Sequence, residues 1–478
     1  MQEKPKVTVI IPNYNGRKFM DQCMDALERQ TYTDFVVLIV DNGSTDGSVE
    51  YLRRLTADSE EGPQMQNPGS TEVSRIITTE AALDAYDAGR PGSILSETVS
   101  DDTSFIKEVH PEASECETIH RRHYSFPIRT ILLTENTGFS GAVNVGISAA
   151  DTDYVVLLNN DTEAQPDYLR ALVAAMEGRS LRTDISSRNN SVSSAIIAAD
   201  NSKEAAASSD ISTDIADSAD DSSKTAHPIF AVSPKMVQLY HQDLLDDAGD
   251  GYNLLGWAFQ RGVGQPVTTP KFLRKTEVFS ACAGAAIYRR DLLEEIRLDR
   301  IRKTDAAVLA YEDLAGSSWP ACPYFDPLHF AYLEDLDVCF RARVRGYRIF
   351  YEPASVVYHV GSGTSGSKYN HFKVRLAARN NVYLNYKNMP LLMLLLNLPG
   401  ILIGVIVKQI FFIRRGFGKD YAGGFLEGIR TLGQLRPHRT SFVMSRFMNY
   451  CTIELRLITD TASYVQDFFV RQMRKVLK

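Results

Sequence analysis

The chain has 478 residues, 44% of them apolar, which is enough for one large α/β body with an appended region and too much for a chain without a core. Its formal charge of −7 is unevenly spread: residues 387–478 hold 14 Lys and Arg against 5 Asp and Glu, while the remainder holds 38 against 54. An acidic body with a basic tail predicts contact with an anionic surface, lipid headgroups or nucleic acid, or else a merely solvated basic face. The six cysteines form no CxxC pair and no dense framework, as a reducing compartment permits. Polar residues 1–6 leave no room for the apolar core of a signal peptide, so export is not expected.

Residues 7–11 are a β-branched run that suits a strand buried on both faces, closed by Pro12. Phe19, Met20, Cys23 and Leu27 recur at helical spacing and predict a helix over 17–31; residues 35–40 predict a second buried strand ending at Asp41. The turn 41–47 leads to a helix over 48–55. Residues 57–126 lose periodicity and gather Ser, Glu, Asp, Gly and Pro, reading as an insertion with at most patchy structure. A strand over 130–133, a Gly/Ala-rich helix over 138–150 and a strand over 154–158 follow, then a helix from Pro166, whose missing N–H costs nothing in a first turn. Residues 179–226, rich in Ser, Asp and Ala, form a second insertion. The fold resumes at 229–237. After a loop-rich stretch, the small residues 280–286 begin another core element, 333–345 reads as a helix, 348–351 as a strand and 372–386 as a basic amphipathic helix. Alternating strands and helices with buried strands predict a Rossmann-like α/β architecture, an open and mostly parallel sheet flanked by helices that binds ligands beyond its strands' carboxyl ends.

Polar clusters fall at those ends. Asn159, Asn160 and Asp161 follow five apolar or aromatic residues, and a carboxylate there either holds a divalent cation together with substrate phosphates or caps a turn. Glu334 and Asp335 open a predicted helix whose later positions carry Arg341, Arg343 and Arg345. Either acid can act as a general base toward a hydroxyl, or can simply complement the helix dipole. His359 follows a β-branched run and is either a metal ligand beside Asp161 or an ordinary structural histidine.

Three segments carry a family resemblance: 9–15 (Val-Ile-Ile-Pro-Asn-Tyr-Asn), 40–47 (Val-Asp-Asn-Gly-Ser-Thr-Asp-Gly) and 136–146 (Asn-Thr-Gly-Phe-Ser-Gly-Ala-Val-Asn-Val-Gly). With 157–162, the Glu334-Asp335 pair and His359 in the same order, the chain resembles family 2 glycosyltransferases of the GT-A fold, nearest to their rhamnosyltransferase-like branch. The resemblance spans residues 5–390 apart from the insertions. It implies an inverting transfer of a sugar from a nucleotide-diphosphate donor, dTDP-rhamnose or a UDP-sugar, to a hydroxyl of a polysaccharide or lipid-linked glycan precursor. Asp41 would bind the base, with Pro12 and Tyr14 shaping its pocket. Gly141, Asn144 and Asn159 would lie near the donor, and Arg379 would face the diphosphate. Asp161 and His359 would hold Mg²⁺ or Mn²⁺, Asp335 would be the catalytic base, Glu334 would orient acceptor hydroxyls, and Gly284 and Ala285 would lie near the acceptor. Asn159 departs from the family's usual Asp-x-Asp, removing one negative charge from the metal site. A processive synthase would carry a Gln-x-x-Arg-Trp motif, and neither Trp257 nor Trp319 has that context. A catalytically inactive nucleotide-sugar-binding or scaffold protein is the alternative from another class.

Residues 391–478 form a hydrophobic and basic helical region appended to a domain at 1–390. The stretch 391–413 is almost wholly apolar but interrupted by Asn397, Pro399 and Lys408, so it is long enough to span, to re-enter or to lie flat, where a span needs about 20 apolar residues. A buried hairpin or a dimer face is the soluble counterpart. Basic residues flank it on both sides and do not orient it. The expectation is a peripheral or monotopic protein at the cytoplasmic face of a membrane, without nucleic acid as a partner.

Overall fold

The computed structural model describes residues 7–57, 124–179, 227–298, 323–361 and 369–476. Nearly all of the two expected insertions, and residues 362–368, lie outside the described residues.

The first half runs β1 (Val7–Asn13), α1 (Arg17–Glu28), β2 (Phe35–Asn42), α2 (Ser48–Ala57), β3 (Ile128–Leu133), α3 (Gly138–Ala149), β4 (Tyr154–Leu157), β5 (Thr162–Ala164) and α4 (Tyr168–Met176). The second half runs β6 (Ile229–Gln238), β7 (His241–Asp247), β8 (Asp250–Tyr252), β9 (Ala258–Gln260), β10 (Thr276–Glu277), β11 (Ile287–Arg289), α5 (Arg290–Glu295), α6 (Glu334–Val344), β12 (Arg348–His359), α7 (His371–Asn388), α8 (Leu391–Arg414), α9 (Gly418–Arg430) and α10 (Phe447–Val476).

The main sheet has the order β10-β12-β6-β11-β4-β1-β2-β3, with β5 added on β12 and β7 on β6. Strands β4, β1, β2 and β3 are parallel, as are β6 and β12, and β11 joins the two groups by running antiparallel to both neighbours. The β-branched runs read as doubly buried strands do bury both faces. Val9, Ile11, Val37 and Ile39 pack on one side with Met20, Leu27 and Leu169, whereas Ile10, Leu38 and Val40 pack on the other with Ala142, Val143 and Ile147. Gly146 lets α3 approach closely, since a Cβ there would meet Ile10 Cγ2 at 2.5 Å.

Three segments differ from expectation. The loop-rich stretch holds β7 to β10, which are short and carry little apolar alternation. Residues 280–286 are a tight loop, and the strand begins after them at Ile287. Strand β12 continues to His359 because Pro353 is absorbed by a register shift between Glu352 and Val356, which spares the ladder the missing N–H.

Residues beyond 390 share a core with the residues before them. Tyr252, Phe279 and Phe340 pack with Tyr450, Ile453 and Leu457, and Asp460 accepts the backbone N–H of Tyr252. Helix α8 is long and apolar enough to cross a membrane by length and composition. It turns Met393, Asn397, Ile401 and Gly404 inward, and Gly400 and Gly404 leave no room for a Cβ against the carbonyls of Leu254 and Leu255. Its opposite face exposes Leu392, Leu395, Leu396, Leu402, Ile403, Ile406, Ile410 and Ile413.

Candidate active site

The parallel pairing of β1 and β2 sets Asn13 beside Asp41 at the strands' carboxyl ends. Asp41 is fully buried and accepts from Asn13 Nδ2 at 2.7 Å and from the Ser44 backbone N–H at 2.9 Å. Asn13 Oδ1 in turn accepts from Asn160 Nδ2 at 2.7 Å, so one amide ties the expected base pocket to the polar triplet after β4. Gly43, with φ of 75°, makes the turn that brings Ser44 back, and Tyr14 leaves its ring 39% exposed at the mouth.

Strand β5 pairs antiparallel with the end of β12 and sets Thr162 against His359. Asp161 Oδ1 lies 3.5 Å from His359 Nε2, and His359 Nδ1 lies 2.7 Å from Asp246 Oδ2. Burial opposes the charged imidazolium, but the hydrogen bonds and charges of Asp161 and Asp246 outweigh it and push the pKa up to about 10. Asp246 escaped the sequence reading because it sits in a polar strand without pattern. Lys373, in the first turn of α7, is also close enough to feel the Asp161 charge; burial lowers its pKa and Asp161 acts against that fall.

Asp335 and Glu334 open α6 after Phe330, Tyr332 and Leu333, three non-glycine residues with φ of 62°, 70° and 68°. Such conformations cost about 1–3 kcal/mol each and persist only where surroundings enforce them. Asn380 enforces this one by donating to the carbonyls of His329, Ala331 and Tyr332, each at 2.8 Å. Asp335 is half-buried; it accepts from Leu336 N at 2.7 Å and from Ala283 N at 3.2 Å. Burial raises its pKa, and those two N–H groups work against the rise without cancelling it. Glu334 is buried, with Oε2 lacking a hydrogen-bond partner in the structure. Burial and then the Asp335 charge push it well above the usual carboxylate range.

The loop 280–286 joins these halves. Ala283 holds Asp335, and the next residue, Gly284, accepts from Asn159 N at 2.8 Å. Asp161, His359, Asp335 and Glu334, far apart in sequence, are thereby brought to one region at the carboxyl edge of β4 and β1.

Other expected residues sit differently. Asn144 is fully buried, donates to Phe325 O and accepts from Tyr324 N and Phe325 N, so its side chain anchors a loop. The Arg379 guanidinium is engaged with Glu427 and the carbonyls of Leu328 and His329, bracing the strained segment. Ala285 has no exposed surface and packs in the core. Gly141 is buried in the first turns of α3, whose Ser140 N–H donates to Phe330 O. Pro12 is partly exposed beside Tyr14.

Known proteins resemble parts of this chain. It is 44% identical over 54 residues to glycosyltransferase AglE of Haloferax volcanii, 11% of this chain and 18% of that protein. It is 24% identical over 143 residues to the putative glycosyltransferase EpsE of Bacillus subtilis, 30% and 49% of the two chains. The chain thus spans under half the length of either relative. A solved structure of S. aureus TarS 1-349 in complex with UDP-GlcNAc aligns at 13% identity and a TM-score of 0.42 over 97% of this chain and 92% of that one. Residues 8–65 and 99–188 match the family model described as Glycosyl transferase family 2.

Proposed function

We propose that this chain is an inverting glycosyltransferase that moves a sugar from a nucleotide-diphosphate donor to an acceptor hydroxyl on a polysaccharide or lipid-linked glycan. The observation that carries this reading is the loop 280–286, whose Ala283 N–H holds Asp335 and whose Gly284 carbonyl accepts from Asn159, two residues before the Asp161 that faces His359. The nucleotide base lies at Asp41 and Tyr14, and dTDP-rhamnose or a UDP-sugar is the donor to test first.

The 3.5 Å between Asp161 Oδ1 and His359 Nε2 is short enough for the two groups to hold one divalent ion between them. Asp246 holds the other ring nitrogen, as carboxylates behind metal-bound histidines do. Asp161 and His359 would hold Mg²⁺ or Mn²⁺, which would supply positive charge against the departing diphosphate. Lys373 adds a positive charge on the same side. Asp335 takes the proton of the acceptor hydroxyl as its oxygen bonds to the anomeric carbon and the carbon–diphosphate bond breaks on the opposite face. Inversion follows from that single displacement. Glu334, which burial and the Asp335 charge push toward the protonated form, orients the acceptor by a hydrogen bond.

The exposed apolar face of α8 belongs against a membrane surface, with Arg414, Arg415 and Lys419 at one end facing anionic headgroups. Packing of α8 on the body from Met393 to Gly404 favours a helix lying in the plane. Replacing Leu395, Ile403 and Ile406 together by Ser is expected to weaken co-sedimentation with anionic vesicles by about tenfold or more. Unchanged binding would remove α8 as the membrane face.

The catalytic reading is tested by screening nucleotide sugars for nucleoside-diphosphate release with and without Mn²⁺. Release from one donor, dependent on the cation and on an added glycan acceptor, is expected. Donor binding without turnover on any acceptor would favour an inactive binding protein.

A further inference from the structure

A second cluster of ionisable groups lies beside Asp335 and takes no part in the chemistry above. Asp247 ends β7, Asp250 opens β8 and Cys282 lies in the loop 280–286; one ligand atom from each falls within 4.8 Å of the others. Asp247 has no exposed surface, and no side chain among the described residues hydrogen-bonds to either of its carboxylate oxygens, whose polar support is the Gly249 backbone N–H. A buried, unsolvated carboxylate costs folding free energy unless something compensates it.

The compensation among the described residues falls short. Arg261 is the cation that the described residues turn toward Asp247 and Asp250, and it also answers to Asp460, with Arg456 opposing it. Against it stand Asp247, Asp250, Asp335 and the neighbouring Asp246. Burial, reinforced by that crowd of acids, pushes Asp247 up to about 7 and raises Asp250 and the Cys282 thiol well above their ordinary values. A divalent ion supplies the missing positive charge and would deprotonate the thiol.

We propose that Asp247, Asp250 and Cys282 form a binding site for a divalent transition metal of borderline softness, Zn²⁺ or Co²⁺, separate from the Asp161–His359 pair. Two carboxylates and a thiolate are a Zn²⁺-type donor set, whereas Mg²⁺ takes oxygen ligands. With Zn–S of about 2.3 Å and Zn–O of about 2.1 Å, ligands of one tetrahedral ion stand about 3.5 Å apart, so the three groups close on an ion with shifts of about 1 Å. Cys282 is partly exposed, which leaves a way in. Asp246 and Asp247 are consecutive residues where β7 bulges against β6, and the strand serves the His359 side with one acid and this cluster with the next. The site stands apart from the catalytic reading, since it needs no sugar to be detected.

The test uses the full chain, stripped of metal by a chelator and titrated with Co²⁺. A saturable thiolate-to-Co²⁺ charge-transfer band in the near ultraviolet is expected, together with a rise in melting temperature on adding Zn²⁺. Cys282→Ser should abolish the band, and Asp247→Asn should weaken Co²⁺ binding by more than about tenfold. Asp161→Asn should leave the band in place. Asp247→Asn also relieves a buried charge, so its metal-free melting temperature should hold or rise, which separates lost binding from lost folding. No band in the wild type, the same band in Cys282→Ser, or loss of the band in Asp161→Asn would each overturn the site.

Discussion

The two halves of the candidate site both rest on buried carboxylates and treat them in opposite ways. Asp161 faces an imidazole that Asp246 helps to keep protonated in the metal-free protein, and Lys373 lies nearby, so negative charge is welcome there. Asp335 and Glu334 face other acids, and burial lifts both toward the protonated form. On the proposed reading, one half would hold a cation and a diphosphate, and the other would accept and donate protons. Position in the fold, more than residue type, assigns the roles.

The comparison breaks most readily at Asp335. Asp335→Asn is expected to lower turnover by about 10²–10⁴-fold while donor affinity, measured by calorimetry, is unchanged. Equal loss of donor binding would place Asp335 in the wrong half. Asp246→Asn acts on the other half and should lower metal affinity by about 10–100-fold through a misoriented His359, read by Mn²⁺ titration with nucleotide present.

The halves should also differ with pH. A base with a raised pKa must be deprotonated to work, so turnover should fall as pH drops through a value above the ordinary carboxylate range. His359 has a folded pKa raised from 6.5 to about 10, so its contribution to metal-free stability is full below about 6.5 and is lost as pH rises toward 10. The metal-free melting temperature should therefore fall over that window, and His359→Gln should flatten the fall. The smallest effect belongs to the loop between the halves: a Cβ at Gly284 would meet Asn159 Nδ2 at 3.1 Å, so Gly284→Ala should cost activity a few-fold with a stability change of about 1 kcal/mol or less.

Much of the sheet is legible in the sequence because doubly buried strands need unbroken β-branched runs, as in β1 and β2. Strand β7 is not, since His-Gln-Asp-Leu-Leu-Asp-Asp has no alternation, and with it went Asp246 and Asp247. The family resemblance names stretches of chain, and what each side chain in such stretches bonds to is a separate matter. Asn144 and Arg379 lie in or near such stretches, yet their hydrogen-bonding capacity goes to backbone and to Glu427. A polar residue near a site holds the loop that carries the chemistry as readily as it meets a ligand. The expected boundary at 390 falls inside a continuous core because a hydrophobic helix signals burial without naming its partner.

The central claim is that Asp161 and Asp335 act on one substrate in one site, and a double-mutant cycle on turnover tests it most directly. Asp161→Asn and Asp335→Asn should be strongly non-additive, with the double variant little worse than the poorer single one. Losses that multiply would mean the two carboxylates act independently and would contradict a shared site.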